Sequence, residues 1–457
     1  MSEGHVTVRG PITEGRRGWP FGAAAFDLDA LGYGEQEWFF SGDATCYDHA
    51  PGTGRSFDGQ WQAEPTRSVP FASRLLVRRP TDPAKFNGSV VVFWANVSIG
   101  FDIYTGESSR LYDGCAFVGV TAQRTAVEGY RDGPQHGLRA WDPERYGELS
   151  IPTDDASYDI YTQAARLVGR ERPHGDLDPM GGLDVRHVIA FGASQSAGRL
   201  ATYLNAVQPL ERAFDAFLLD VYFGNGTALD TSAAAGPGVT HVDQITDLIR
   251  THGLPPGGHL LRDVGVPVFV VNSESESLAH FPVRQPDTDS YRFWEFAGHA
   301  HGTVPSKEAL RSSWERDLGM TSHPMAPAAG YNALSLEPGR SAALDHLLRW
   351  LNDATPPPVQ DRIRIEGDPP RVIRDESGNA LGGIRMPALA VPTGRHTGFA
   401  ADGTLSLFGS TEPFDAATLR ELYPDHEAYT NALNAAAKEA VDSGVLLPVQ
   451  APSLIQL

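Results

Sequence analysis

Five residues carry the strongest chemical signal in the chain: Gly192-Ala193-Ser194-Gln195-Ser196. They follow the apolar run His187–Phe191 and precede a segment, Ser196–Val207, with one apolar stripe of Ala197, Leu200, Ala201 and Leu204. A strand that enters a helix through a tight turn is the context of a nucleophile elbow, G-x-S-x-G, here with Ser196 in the last position. Such a turn brings backbone against backbone, so both flanking residues must be small, and Gly192 and Ser196 are. Ser194 would sit at a helix N-terminus, where unpaired N–H groups and the helix dipole favour developing negative charge. A serine there also suits a plain helix N-cap, so the motif alone leaves both readings open.

A serine is a weak nucleophile without a base and an acid that orients the base. Behind an elbow of this kind the chain order is serine, acid, histidine. The run Val266–Val271 leads into Asn272-Ser273-Glu274-Ser275-Glu276, which offers two carboxylates. Glu276, three residues beyond the small turn residue Ser273, fits the acid position better; Glu274 is the second choice. The next run, Tyr291–Phe296, leads into Ala297-Gly298-His299-Ala300-His301, and either histidine could reach the serine. His-x-His is also a metal pattern, but no carboxylate cluster accompanies it at ligand spacing, so neither a metal nor an organic cofactor is expected. The oxyanion needs two backbone N–H groups. Gln195 is one donor; Val97 or Ser98, in the loop Ala95-Asn96-Val97-Ser98, is the other, with Asn96 read as a turn residue bonding its own backbone.

The elements that must place these groups are legible as short, continuous apolar runs. Phe71–Arg79, Gly88–Trp94, Cys115–Ala122, His187–Phe191, Ala216–Tyr222 and Val266–Val271 suit strands buried on both faces of a parallel sheet. Helical patterns alternate with them at Tyr158–Val168, Ser196–Val207 and Ser341–Leu351, which predicts βαβ units. The first 70 residues, with a strand-like piece at Glu37–Phe40, predict a β-rich segment packed on a core of residues 71–352. The stretch Gly224–Asp263 is long, rich in small residues and placed like a lid. After Pro356–Pro358, residues 353–457 predict an extension packed on the core, with a polar helical segment over Asp415–Ser443.

Composition removes several function classes. Among 457 residues, 37 are Lys or Arg and 57 are Asp or Glu, a formal charge of −20. Such a surface repels phosphate backbones and anionic lipid, so neither nucleic acid nor membrane is expected as a partner. No apolar run approaches the ~18 residues of a bilayer span. Cys46 and Cys115 are the two cysteines, a sparse usage ordinary for a reducing compartment, and with no signal-like start the reading is cytoplasmic. Gly224-Asn225-Gly226 lacks the third glycine and the helix of a dinucleotide fingerprint, and no phosphate-binding loop is present.

The elbow, the strand-plus-acid segment Val266–Glu276 and three further blocks resemble the bacterial and fungal α/β-hydrolase-domain proteins whose elbow reads G-x-S-Q-S. The further blocks are Trp294–Gly298 leading to His301, Trp141–Tyr146 and Gly378–Arg385. The resemblance implies an α/β-hydrolase fold, with a mostly parallel central sheet flanked by helices, and a serine hydrolase. It favours His301 over His299. The expected activity is hydrolysis of a neutral small-molecule ester or lactone by Ser194, His301 and Glu276. An amidase or acyltransferase with the same residues, or a binding protein that kept the fold without turnover, are the alternatives.

Overall fold

The apolar runs form the centre of one nine-stranded sheet. The computed structural model describes residues 6–53, 58–129, 137–173, 175–229, 258–319 and 330–455. The strands are β1 (Thr7–Arg9), β2 (Tyr33–His49), β3 (Ala63–Pro80), β4 (Ser89–Trp94), β5 (Ala116–Val120), β6 (His187–Ala193), β7 (Ala216–Asp220), β8 (Val268–Ser273) and β9 (Tyr291–Phe296). Their spatial order is β1-β2-β3-β5-β4-β6-β7-β8-β9. From β5 to β9 every pair is parallel; β1, β2 and β3 join antiparallel at one side.

Strands β4, β5, β7, β8 and β9 are buried along their whole length, as continuous apolar runs require. Alternate residues feed two cores. Val90, Val92 and Trp94 of β4 pack on one face with helices α1 (Ser157–Val168) and α2 (Gln195–Thr202). Val91 and Phe93 pack on the other with Leu344, Leu347 and Leu348 of α3 (Glu337–Asp353). The result is an α/β-hydrolase architecture, a sheet with helices on both sides.

Three expectations change in detail. Residue 70 is no boundary: it falls inside β3, and β2 and β3 pair over their full length as part of the main sheet. The helix expected over Ser196–Val207 keeps its apolar stripe on the core, but its α-helical part ends at Thr202 and a π turn covers Tyr203–Val207. Pro209 has no N–H to give Asn205 and its ring crowds that carbonyl, so the turn before it widens. The single helix expected over Asp415–Ser443 is two, α4 (Ala416–Leu422) and α5 (His426–Asp442). Pro424 forces Tyr423 into extended backbone, and Asp425 caps the new helix by accepting from Ala428 N. Of the lid-like stretch Gly224–Asp263, residues 230–257 lie outside the described residues. Cys46 and Cys115 are both buried and are not bonded to each other.

Candidate active site

The sheet reverses its strand order on either side of β4, since β5 lies on one side and β6 on the other. Ligands of open α/β sheets gather at the carboxyl ends of the strands at such a switch point. The loop after β4 and the turn after β6 therefore meet there. Asn96 Nδ2 donates to Ala193 O (3.0 Å), while Asn96 Oδ1 accepts from Ser98 N (2.8 Å), so one side chain ties the two segments together.

Ser194 has φ 59° and ψ −117°, and its side chain makes no helix-capping hydrogen bond. A non-glycine residue held at positive φ costs about 1–3 kcal/mol and needs support from its surroundings. That support is visible. Ser194 N donates to Asp220 O on β7 (3.0 Å). Ser196 Oγ accepts from Ala193 N and donates to Ala193 O, both at 3.0 Å, so the serine in the last elbow position closes the turn. A Cβ on Gly192 would lie 2.7 Å from Ser196 O and 2.9 Å from Ser196 C, which is why only glycine fits. The plain N-cap role does not describe this serine.

Glu276 and His301 come together at the ends of β8 and β9. His301 Nδ1 lies 2.7 Å from Glu276 Oε1. The other carboxylate oxygen, Oε2, accepts from Ser273 N (2.7 Å) and Ser273 Oγ (2.6 Å). Glu276 is fully buried. Glu274 is equally buried and serves elsewhere: its Oε2 accepts from Gly298 N (2.7 Å), and its Oε1 accepts from Arg374 Nη2 (2.8 Å) and Thr397 Oγ1 (2.9 Å). It holds the histidine loop without touching the imidazole. His299 turns away from the site, with Nδ1 2.9 Å from Ala297 O and its ring edge-on to Phe296. Burial pulls its imidazole down to about 4. Among the described residues no group of three or more His, Cys, Asp or Glu is placed to hold a metal ion.

Val97 N–H points toward the elbow and donates to Gln195 Oε1 (3.3 Å). Gln195 Nε2 in turn donates to Gln123 Oε1 (2.9 Å), which also accepts from Trp94 Nε1 (3.1 Å). The Ser98 N–H is already directed at Asn96. As the first residue of α2, Gln195 presents a backbone N–H with no partner inside its helix.

Several contributors escaped the sequence reading. Phe223 stacks on the His301 ring, centroids 5.1 Å apart with planes at 24°. Asp220, at the end of β7, is held by Arg340 of α3 through contacts of 2.8–3.1 Å; burial pushes its carboxyl up against that pull. Its sequence signal was a carboxylate ending a buried run, Ala216–Asp220. The C-terminal extension supplies the rest. Strands β10 (Ile365–Glu366) and β11 (Arg371–Val372) form one small ribbon, and β12 (Gly394–Phe399) and β13 (Leu405–Pro413) another. Ser275 Oγ donates to Gly398 O (2.6 Å) and accepts from His301 N (3.1 Å), while Gly302 N donates to Leu407 O (2.7 Å).

The profile of the alpha/beta hydrolase domain matches residues 8–456. The chain belongs to this family. No curated protein matches it significantly in sequence. Similar solved structures include a fungal esterase from Rhizomucor miehei, at 13% identity over 62% of this chain and 78% of that one, with TM-score 0.30. Esterase Est22 is similar at 12% identity over 64% and 82%, TM-score 0.30. A glucuronoyl esterase from Solibacter usitatus is similar at 11% over 65% and 81%, TM-score 0.28. Among the described residues no helix is long and apolar enough to cross a membrane.

Proposed function

We propose that the chain is a serine hydrolase acting on carboxylic esters, with Ser194 as nucleophile, His301 as base and Glu276 as the residue that orients it. One observation carries the reading: Ser194 is held at φ 59° in a strand–turn–helix elbow, while His301 and Glu276 pair at 2.7 Å on the loops after the last two strands of the same sheet. In this mechanism His301 Nε2 takes the Ser194 hydroxyl proton as Oγ bonds to the ester carbonyl carbon. Gln195 N–H and Val97 N–H hold the resulting oxyanion, the carbonyl oxygen displacing Gln195 Oε1 from Val97. Collapse of the tetrahedral species expels the alcohol, which leaves with the proton from His301. Water then adds to the acyl-serine, giving up a proton to His301, and the acid departs as Ser194 recovers its hydrogen. Glu276 accepts from Nδ1–H throughout and stabilises the imidazolium. The acidic charge balance favours neutral acyl groups.

The experiment is fluorophosphonate labelling combined with hydrolysis of p-nitrophenyl esters of increasing length. The wild-type chain should be modified at Ser194, and Ser194→Ala should lose both labelling and turnover while its thermal unfolding stays unchanged. Retention of more than a few per cent of turnover in that variant would refute the assignment.

A further inference from the structure

The C-terminal extension contains a cleft whose lining includes none of Ser194, Glu276 and His301. It has a volume of about 330 Å³, within the range of small-molecule sites. Three guanidinium groups line it, from Arg371, Arg374 and Arg395, against one carboxylate, Asp402. Two of the three also pair with carboxylates beside the cleft, Arg374 with Glu274 and Arg395 with Glu412, so the charge on offer is chiefly that of Arg371. The carboxylate in the lining is already engaged, since Asp402 Oδ1 accepts from Thr404 N (2.9 Å) and Thr404 Oγ1 (2.7 Å) in its own turn.

The guanidiniums are only partly satisfied. Arg374 gives one nitrogen to Glu274 and Thr397 and another to Gly378 O. Arg395 Nη2 pairs with Glu412 (2.6 Å), but its Nε is buried with no hydrogen-bond partner. The side chain of Arg371 stands exposed on β11 and makes no ion pair or hydrogen bond to any of the described residues. Guanidinium forks match phosphate and carboxylate oxygens. The wall also carries apolar side chains, Leu278, Val372 and Phe399, facing the same space. A bare inorganic anion would leave those surfaces uncovered.

We propose that this cleft binds a small organic anion, its phosphate or carboxylate head on Arg371 and Arg395 and its apolar part against Leu278 and Phe399. The site is independent of the hydrolase assignment. Its position is adjacent to the catalytic loops, because Arg374 joins the cleft wall to Glu274, whose other oxygen holds Gly298 N.

The test is calorimetric titration of the full chain at low salt with phenyl phosphate and, separately, benzoate, which distinguishes the two head groups. Saturable one-to-one binding of either, with Kd of about 1 mM or tighter, is expected. The neutral analogue benzyl alcohol should give no saturation. The double variant Arg371→Gln/Arg395→Gln should weaken binding by at least roughly tenfold, the loss of two charge-assisted contacts. Asp402→Asn keeps the turn acceptor and removes the opposing charge, so it should tighten binding roughly threefold. Absence of saturable binding by both anions, equal binding of the alcohol, or affinities unmoved in both variants would overturn the proposal. Binding measured this way stands or falls without reference to turnover.

Discussion

Replacing Glu276 by glutamine keeps the size of the side chain and changes only which hydrogen bonds it can make. The carboxylate accepts three donors: Ser273 N, Ser273 Oγ and His301 Nδ1–H. A glutamine has one acceptor oxygen and one donor nitrogen. With its oxygen kept on Ser273, the amide NH2 must face His301 Nδ1. The imidazole then avoids a donor–donor clash only by carrying its proton on Nε2, which turns a base into a donor toward Ser194. The equivalent tautomer trap in a serine protease costs about 10⁴ in kcat, so Glu276→Gln should lose on the order of 10³–10⁴, about 4–5.5 kcal/mol of transition-state stabilisation. KM should change little, because no substrate contact is removed.

The matched control is Glu274→Gln, two residues away and equally buried. Glu274 holds Gly298 N, Arg374 and Thr397, so its loss falls on stability, by about 1–3 kcal/mol, with turnover retained within roughly tenfold. Steady-state hydrolysis of a p-nitrophenyl ester and thermal unfolding, measured on both variants, separate the two roles. A Glu276→Gln enzyme with more than a tenth of wild-type kcat, or a larger loss from Glu274→Gln, would refute the reasoning.

Gly192→Ala places a methyl 2.7 Å from Ser196 O, against backbone that cannot swing aside, and should cost about 1–3 kcal/mol in denaturant unfolding along with most of the turnover. Turnover in proportion to the folded fraction would show that the elbow tolerates it. Acid should destabilise the fold through buried neutral imidazoles. His259 and His299 are pulled down to about 4 by burial, so between the unfolded value of about 6.5 and that point the unfolded chain binds protons the folded chain cannot. Stability should therefore fall as pH drops through that window, on the order of 1 kcal/mol per pH unit for each histidine, and His299→Gln should flatten the slope. A thermal midpoint independent of pH over the window contradicts this. Turnover of the p-nitrophenyl ester should be retained in His299→Gln within roughly tenfold, because His299 faces away from the elbow; its loss at unchanged stability would place the base at His299.

The central sheet was legible because strands buried on both faces are mostly apolar, and Val90–Trp94, Val188–Phe191 and Val268–Val271 carry no polar residue. Strand β2 was not: Tyr33–His49 mixes Glu, Gln, Ser, Asp and Thr with its aromatics, and only Glu37–Phe40 stood out. The groups proposed for the site, Ser194, Glu276 and His301, all stand in turns that follow such runs. The contacts that fix their geometry are long-range, and no local spacing encodes them. Phe223 reaches His301 across 78 residues of chain, and Arg340 reaches Asp220 across 120.

The elbow and the base are held by different parts of the chain, and this explains the extension. The strained serine draws its support from the sheet and the helix after the elbow: Gly192 and Asp220 belong to β6 and β7, Ser196 to the start of α2, and Asn96 to the loop after β4. The acid and histidine loops draw theirs from residues beyond 330. Gly298 O accepts from Asn332 Nδ2 (2.7 Å), Gly302 N donates to Leu407 O, and Ser275 Oγ donates to Gly398 O. A Cβ on Gly398 would fall 2.3 Å from Ser275 N, so β12 lies directly on the acid loop. A chain ending at residue 352 would keep the elbow and lose what presses Glu276 and His301 into register. Catalytic groups must sit within about 0.5 Å of their productive positions, and loops reach that precision only when packed from behind. In this fold the backing comes from a hairpin more than a hundred residues downstream of the acid it steadies.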